Sequence, residues 1–137
     1  MPKHSKAADT QVGGDHYKGL AYQPFHLALD CGGGPAFIKA AKYLTREKND
    51  RKDNLRKAYH CIQLEQEWMK ENHPSWGKLD RDYIEHVEGD KHIQKFCSQF
   101  SNGHIYKTVL ESLLIDDYSK AKETITKFVR YGRWEEI

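Results

Sequence analysis

From Arg51 to Glu71 the chain runs for about twenty residues with neither glycine nor proline. Leu55, Tyr59, Ile62, Gln66 and Met69 recur along it at helical spacing, with Ala58, Cys61 and Trp68 beside them. That pattern predicts one long amphipathic helix. Asn49-Asp50 breaks whatever precedes it and supplies its cap. Asn72-His73-Pro74-Ser75-Trp76-Gly77 follows it as a loop. The whole chain has 137 residues, enough for one compact domain and too few for two large ones.

Two prolines set the helices upstream. Pro24 starts a short one to about Cys31, which Gly32-Gly33-Gly34 ends. Pro35 starts the next, to about Glu47, with Phe37, Ile38, Ala41 and Leu44 on its apolar side. Downstream, Asp80 to Val87, Asp90 to Phe100, His104 to Ile115 and Asp116 to Tyr131 read as helices, with Ser101-Asn102-Gly103 as an interruption. No strand pattern appears, so the expected class is all-α. The expected architecture is a small domain with an antiparallel helix pair and further C-terminal helices. Residues 1–12 read as a polar tail, 13–72 as the helical domain and 73–137 as a C-terminal helical extension.

Mean hydropathy is −0.87, low enough to imply a small core. Part of the apolar surface is therefore expected between subunits of a homo-oligomer, most simply a dimer on the long helix. Lys52 to Gln63 and Asp116 to Lys127 echo each other faintly, as helix-cap chemistry alone would make them do. Cys31, Cys61 and Cys97 are odd in number and form no C-x-x-C, which argues for reduced thiols and against a zinc knuckle. No apolar leader or membrane-length run is visible, so a soluble cytoplasmic protein is expected.

Net charge is +2, which gives no global case for nucleic acid. Locally the charge is uneven. Lys39 to Lys57 holds eight Lys/Arg against three acids. Lys39, Lys42 and Arg46 fall on one flank of the second helix. Lys48, Arg51, Lys52, Arg56 and Lys57 lie between the helices or on the third. Two helices joined by a short turn run roughly antiparallel. Their basic flanks can then line one phosphate-binding groove, helped by the N-terminus of the long helix. A solvated helix face is the plainer alternative.

Gln11-Val12-Gly13-Gly14-Asp15-His16-Tyr17-Lys18 fits neither helix nor strand periodicity. Its glycines permit close backbone approach. His16, Tyr17 and Lys18 bring an imidazole, a phenol and a cation into one loop, as a ligand-contacting segment would. The alternative is a turn whose His and Tyr pack on a helix. Tyr17 or Tyr43 can stack on a base, and His16 can bond phosphate or move a proton near neutral pH.

GGDHYK at 13–18, Gln23-Pro24 opening a helix, and Lys42-Tyr43-x-x-Arg46-x-Lys48 followed by Leu55-Arg56-Lys57-Ala58 together resemble a known family. It is the small phage-encoded domain of formally unknown function often labelled SaV-like or nucleotide-kinase-like, and the resemblance spans residues 11–70 or so. It implies a phage protein acting in the host bacterial cytoplasm. It also implies a nucleotide-handling helical domain, at least one member being described as a deoxynucleoside monophosphate kinase without a P-loop. Ile38-Lys39 stands here where the family carries Gly-Asn, and Asn54 where it carries Asp. Both changes remove groups that orient a ligand or metal.

The expected ligand contacts are thus His16, Tyr17, Lys18, Lys39, Lys42, Tyr43, Arg46, Lys48 and Lys57. No G-x-x-x-x-G-K-[ST] occurs, which excludes a P-loop kinase. Glu65 and Glu67 lie on different helix faces and His86, Asp90 and His92 share no helical spacing, so no metal site is expected. Trp68, Trp76 and Trp134 are expected to pack. No cofactor motif stands out, and ATP enters only if the chain is a kinase. Two functional classes remain. One is a nucleotide-binding protein with kinase activity. The other is a non-catalytic anti-defence protein that sequesters a nucleotide signal or blocks a host protein through its C-terminal helices.

Overall fold

A computed structural model describes residues 20–46, 50–73 and 88–131, with backbone alone for 88–90 and 131. Among them are six helices and no strand: α1 Pro24–Cys31, α2 Pro35–Thr45, α3 Arg51–Asn72, α4 Glu88–Cys97, α5 Gly103–Leu114 and α6 Tyr118–Tyr131. The all-α expectation holds. No helix of the described residues is long and apolar enough to cross a membrane.

Local chemistry explains the helix ends. Pro24 and Pro35 each sit in the first turn, where a missing N–H removes no helical bond. Gly32 ends α1 in the left-handed region at φ 66°, and Gly33 N–H reaches Ala28 O at 2.9 Å. Asp50 caps α3, its carboxylate accepting from the backbone N–H of Lys52 and Asp53. α2 stops at Thr45 rather than about Glu47, because Arg46 is already extended at ψ 121°. α4 closes at Cys97, short of the expected Phe100. α6 begins only at Tyr118, because Asp116 turns the chain with φ 57°. The helix expected over Asp80–Val87 lies outside the described residues.

Helix α3 packs on α2 and α6, and α5 packs on α2, α4 and α6. Short α1 lies against α4 and α2. One core results, with Phe37, Leu44, Leu55, Ile62, Phe96, Tyr106, Leu110 and Ile125 almost fully buried. Each such side chain contributes roughly 1.5–3 kcal/mol on burial. Tyr22 ties the segment ahead of α1 to the end of α4. Its backbone N–H donates to Gln99 Oε1 at 3.1 Å, and its carbonyl accepts from Gln99 Nε2 at 2.9 Å. Leu55, Ala58 and Ile62 of the α3 stripe are therefore covered within one chain, while Tyr59 is exposed beside Lys122.

Candidate functional site

The apolar stripe of α2 (Ala36, Phe37, Ala40, Ala41 and Leu44) faces the core. Helical periodicity then puts Lys39 and Lys42 on the flank outside that stripe, and Arg46, just past the helix end, lies near enough for its charge to act on Lys42. Lys39 is exposed, while Lys42 and Arg46 are half-buried. These surroundings act on the charge of Lys42. Burial of its stem, with the charges of Lys39 and Arg46, holds its ammonium below the ordinary lysine range. From α3, Lys57 comes over the ring of Tyr43, 6.0 Å from its centroid, while also pairing with Asp53 at 3.5 Å. Of the expected contacts, Lys39, Lys42 and Arg46 thus lie near one another, and Tyr43 and Lys57 form a second pair between α2 and the first half of α3. His16, Tyr17, Lys18 and Lys48 lie outside the described residues.

Two basic residues of α3 leave the expected groove. Arg51 turns inward. Its guanidinium donates to Arg46 O at 2.7 Å, to Leu44 O at 3.4 Å and to the Tyr106 hydroxyl at 2.8 Å. It satisfies carbonyls at the end of α2, which have no partner within their own helix. Asn54, 1% exposed, adds a longer contact of 3.4 Å to the same Arg46 carbonyl. Arg56 lies on the α6 side, with Tyr59, Val129 and Arg130 around a small groove.

Next to the basic row lies a cleft of about 810 Å³ that the residue patterns do not single out. Its walls include Phe37, Leu64, Trp68 and Leu113, and Lys39 lines it as well. Leu64 and Trp68 are 52% and 55% exposed. Trp68 therefore does not pack into the core as expected; its ring is tilted against His73 at 5.1 Å. Trp76 and Trp134 lie outside the described residues.

The cleft's polar groups come from three helices and a turn. Glu65 Oε1 accepts from the Ala36 backbone N–H at 3.1 Å, in the first turn of α2. Glu65 Oε2 accepts from the Tyr118 hydroxyl at 3.0 Å, and Asp116 Oδ1 lies 3.3 Å from that hydroxyl. Burial, then the charge and hydrogen bond of Glu65, then Asp116, raise the Tyr118 hydroxyl well above its ordinary pKa. Glu65 is 29 residues from Ala36 and 53 from Tyr118, so no local signal marks its role. Among the described residues no group of three or more His, Cys, Asp or Glu could hold a metal ion.

The class defined by these observations is a small all-α protein with a cationic helix flank and an adjoining apolar cleft. No family model, curated protein or solved structure matches the chain.

Proposed function

We propose that this chain binds a nucleotide or nucleotide-derived phosphate ligand on the basic flank of α2, and that it does so more readily than it turns the ligand over. One observation carries the reading: Lys39, Lys42 and Arg46 lie near one another at α2, where burial first, and then the repulsion of the two neighbouring charges, holds the Lys42 ammonium below the ordinary lysine range. A phosphate seated among them relieves that repulsion and forms charge-assisted hydrogen bonds. Lys57 supplies a further cation and Tyr43 a ring beside it. The resemblance of residues 11–70 to the nucleotide-kinase-like phage domain supports the same ligand class. Phosphoryl transfer has less support, since Lys39 and Asn54 replace groups the resembled family carries.

The test is calorimetry at low salt with a deoxynucleoside monophosphate and with ATP, on the wild-type chain and on Arg46→Ala. Loss of a phosphate contact is expected to weaken binding by about 1.5–3 kcal/mol. Equal affinity for both proteins would reject the site. Incubating monophosphate with ATP and seeking a new diphosphate separates kinase from sequestering protein. Mass spectrometry of small molecules released from heated, freshly purified protein identifies the ligand. Assembly into a homo-oligomer belongs to the same reading, and light scattering that returns a stable monomer at micromolar concentration counts against it.

A further inference from the structure

The cleft beside the basic flank has the opposite electrostatic character. Among the described residues, two carboxylates, Glu65 and Asp116, line it against one cation, Lys39. The lysine is exposed and able to keep its ammonium in water, whereas both carboxylates are half-buried beside a buried tyrosine. The remaining lining is mainly apolar, and Leu64 and Trp68 expose more than half of their surface in it. Its volume of about 810 Å³ falls within the usual range for small-molecule sites.

We propose that this cleft is a separate ligand site for an apolar or aromatic primary amine, the ammonium meeting Glu65 and Asp116 and the apolar body lying against Leu64 and Trp68. Charge complementarity selects this occupant. An anion meets two carboxylates at close range. A neutral alkyl chain covers Leu64 and Trp68 but strips water from the carboxylates and returns nothing to them. An ammonium supplies three donors to the carboxylates, while an apolar or aromatic body covers Leu64 and Trp68. A bare metal ion meets no group of three or more His, Cys, Asp or Glu placed to hold it among the described residues, and leaves the apolar wall uncovered.

Three compounds of nearly equal size test the proposal on the full chain at pH 7: 4-phenylbutylamine, 4-phenylbutan-1-ol and 4-phenylbutyrate. Calorimetry gives the affinities, and the shift of the Trp68 indole N–H, assigned by its loss in Trp68→Phe, gives the place. The amine is expected to bind at least about tenfold more tightly than the alcohol, with the carboxylate weakest and the Trp68 signal moving most. Asp116→Asn keeps a residue type that tolerates the left-handed backbone found there. It is expected to reduce amine affinity by about tenfold and leave the alcohol unchanged. Trp68→Ala, at an exposed position, is expected to weaken both. Equal affinity for amine and alcohol, amine binding indifferent to Asp116→Asn, shifts centred away from Trp68, or no amine binding would each overturn the proposal. None of these results bears on phosphate binding at α2, which Arg46→Ala tests independently.

Discussion

The carboxylate of Glu65 stands 3.0 Å from the hydroxyl of Tyr118 while its other oxygen holds the backbone N–H of Ala36. One side chain on the long helix thus fastens the first turn of α2 and the first residue of α6. Tyr118→Phe removes the donor and leaves Glu65 half-buried with one partner fewer. The expected loss is about 1–2 kcal/mol in denaturant unfolding. Glu65→Ala also removes the bond to Ala36, and is expected to cost about 2–3 kcal/mol. Because the two residues share one bond, the double variant is expected to lose less than the sum. Strict additivity would show that the contact contributes nothing.

Arg51 makes a sharper test of what the basic residues do. Its guanidinium is committed to Leu44 O, Arg46 O and Tyr106, at the junction of α2, α3 and α5. Arg51→Ala is expected to cost about 2–3 kcal/mol of stability, since carbonyls at the α2 end lose a charged donor. Phosphate affinity of the folded variant is expected to stay within about twofold of wild type, a difference under 0.5 kcal/mol. A large fall in affinity with unchanged unfolding would return Arg51 to the ligand.

How far each feature could be read from sequence follows from how locally it is determined. Pro24, Pro35 and Asp50 act on the turn they begin, so the starts of α1, α2 and α3 are legible residue by residue. The basic row of α2 is legible too, because i, i+3 and i+7 share a helix flank. The direction of Arg51 is not. Spacing marks it as cationic, but only the approach of the α2 carbonyls and Tyr106 turns it inward. Glu65 and Trp68 are hidden for a related reason. The first bonds residues 29 and 53 positions away. The second is exposed because the helices beside it leave a cleft, which depends on packing and not on the α3 pattern.

Gly103 and Gly32 each disfavour a side chain for a different reason, and their alanine variants should behave differently. A Cβ on Gly103 would lie 2.0 Å from the Cys97 carbonyl oxygen, a backbone atom that cannot swing aside. Gly103→Ala must shift α5 against the end of α4, at an expected cost of about 3 kcal/mol, the upper part of the overpacking range. Gly32 has nothing within 4 Å of an added Cβ, only its φ of 66°. Gly32→Ala is expected to cost about 1–2 kcal/mol from backbone strain alone. Gly32→Asn should recover part of that, since asparagine visits this region more readily. Equal losses at both glycines would contradict the distinction.

The thiols of Cys31 and Cys97 are both pushed up to about 12. Burial is the main cause in each, followed by Asp30 beside Cys31 and Glu111 beside Cys97. At pH 8 almost no thiolate is present at either, and the thiolate is the reacting species. Iodoacetamide on the folded chain at pH 8 is therefore expected to spare both residues and to modify them once urea unfolds the protein. Peptide mass spectrometry reads the outcome, and fast native alkylation at Cys97 would show that the α4–α5 corner opens.

Lys42 gives the basic flank a pH signature. Its folded pKa lies below its ordinary 10.5 through burial and then the charges of Lys39 and Arg46. Between the folded value and 10.5 the unfolded chain binds more protons, so stability rises as pH climbs through that window. Below it, the repulsion is present in full. Replacing the charge by Lys42→Met is expected to stabilise the neutral-pH protein by about 0.5 kcal/mol, the scale of like-charge neighbours on a helix. That gain should shrink as wild-type Lys42 deprotonates. A phosphate on the same flank reverses the balance, because it favours the charged lysine. Binding in the alkaline range just below 10.5 is therefore expected to take up protons. Calorimetry in two buffers of different ionisation enthalpy measures the uptake directly. Uptake in wild type that disappears in Lys42→Met places the anion beside Lys42. No uptake in either protein puts the phosphate elsewhere and removes the main support for a ligand on α2.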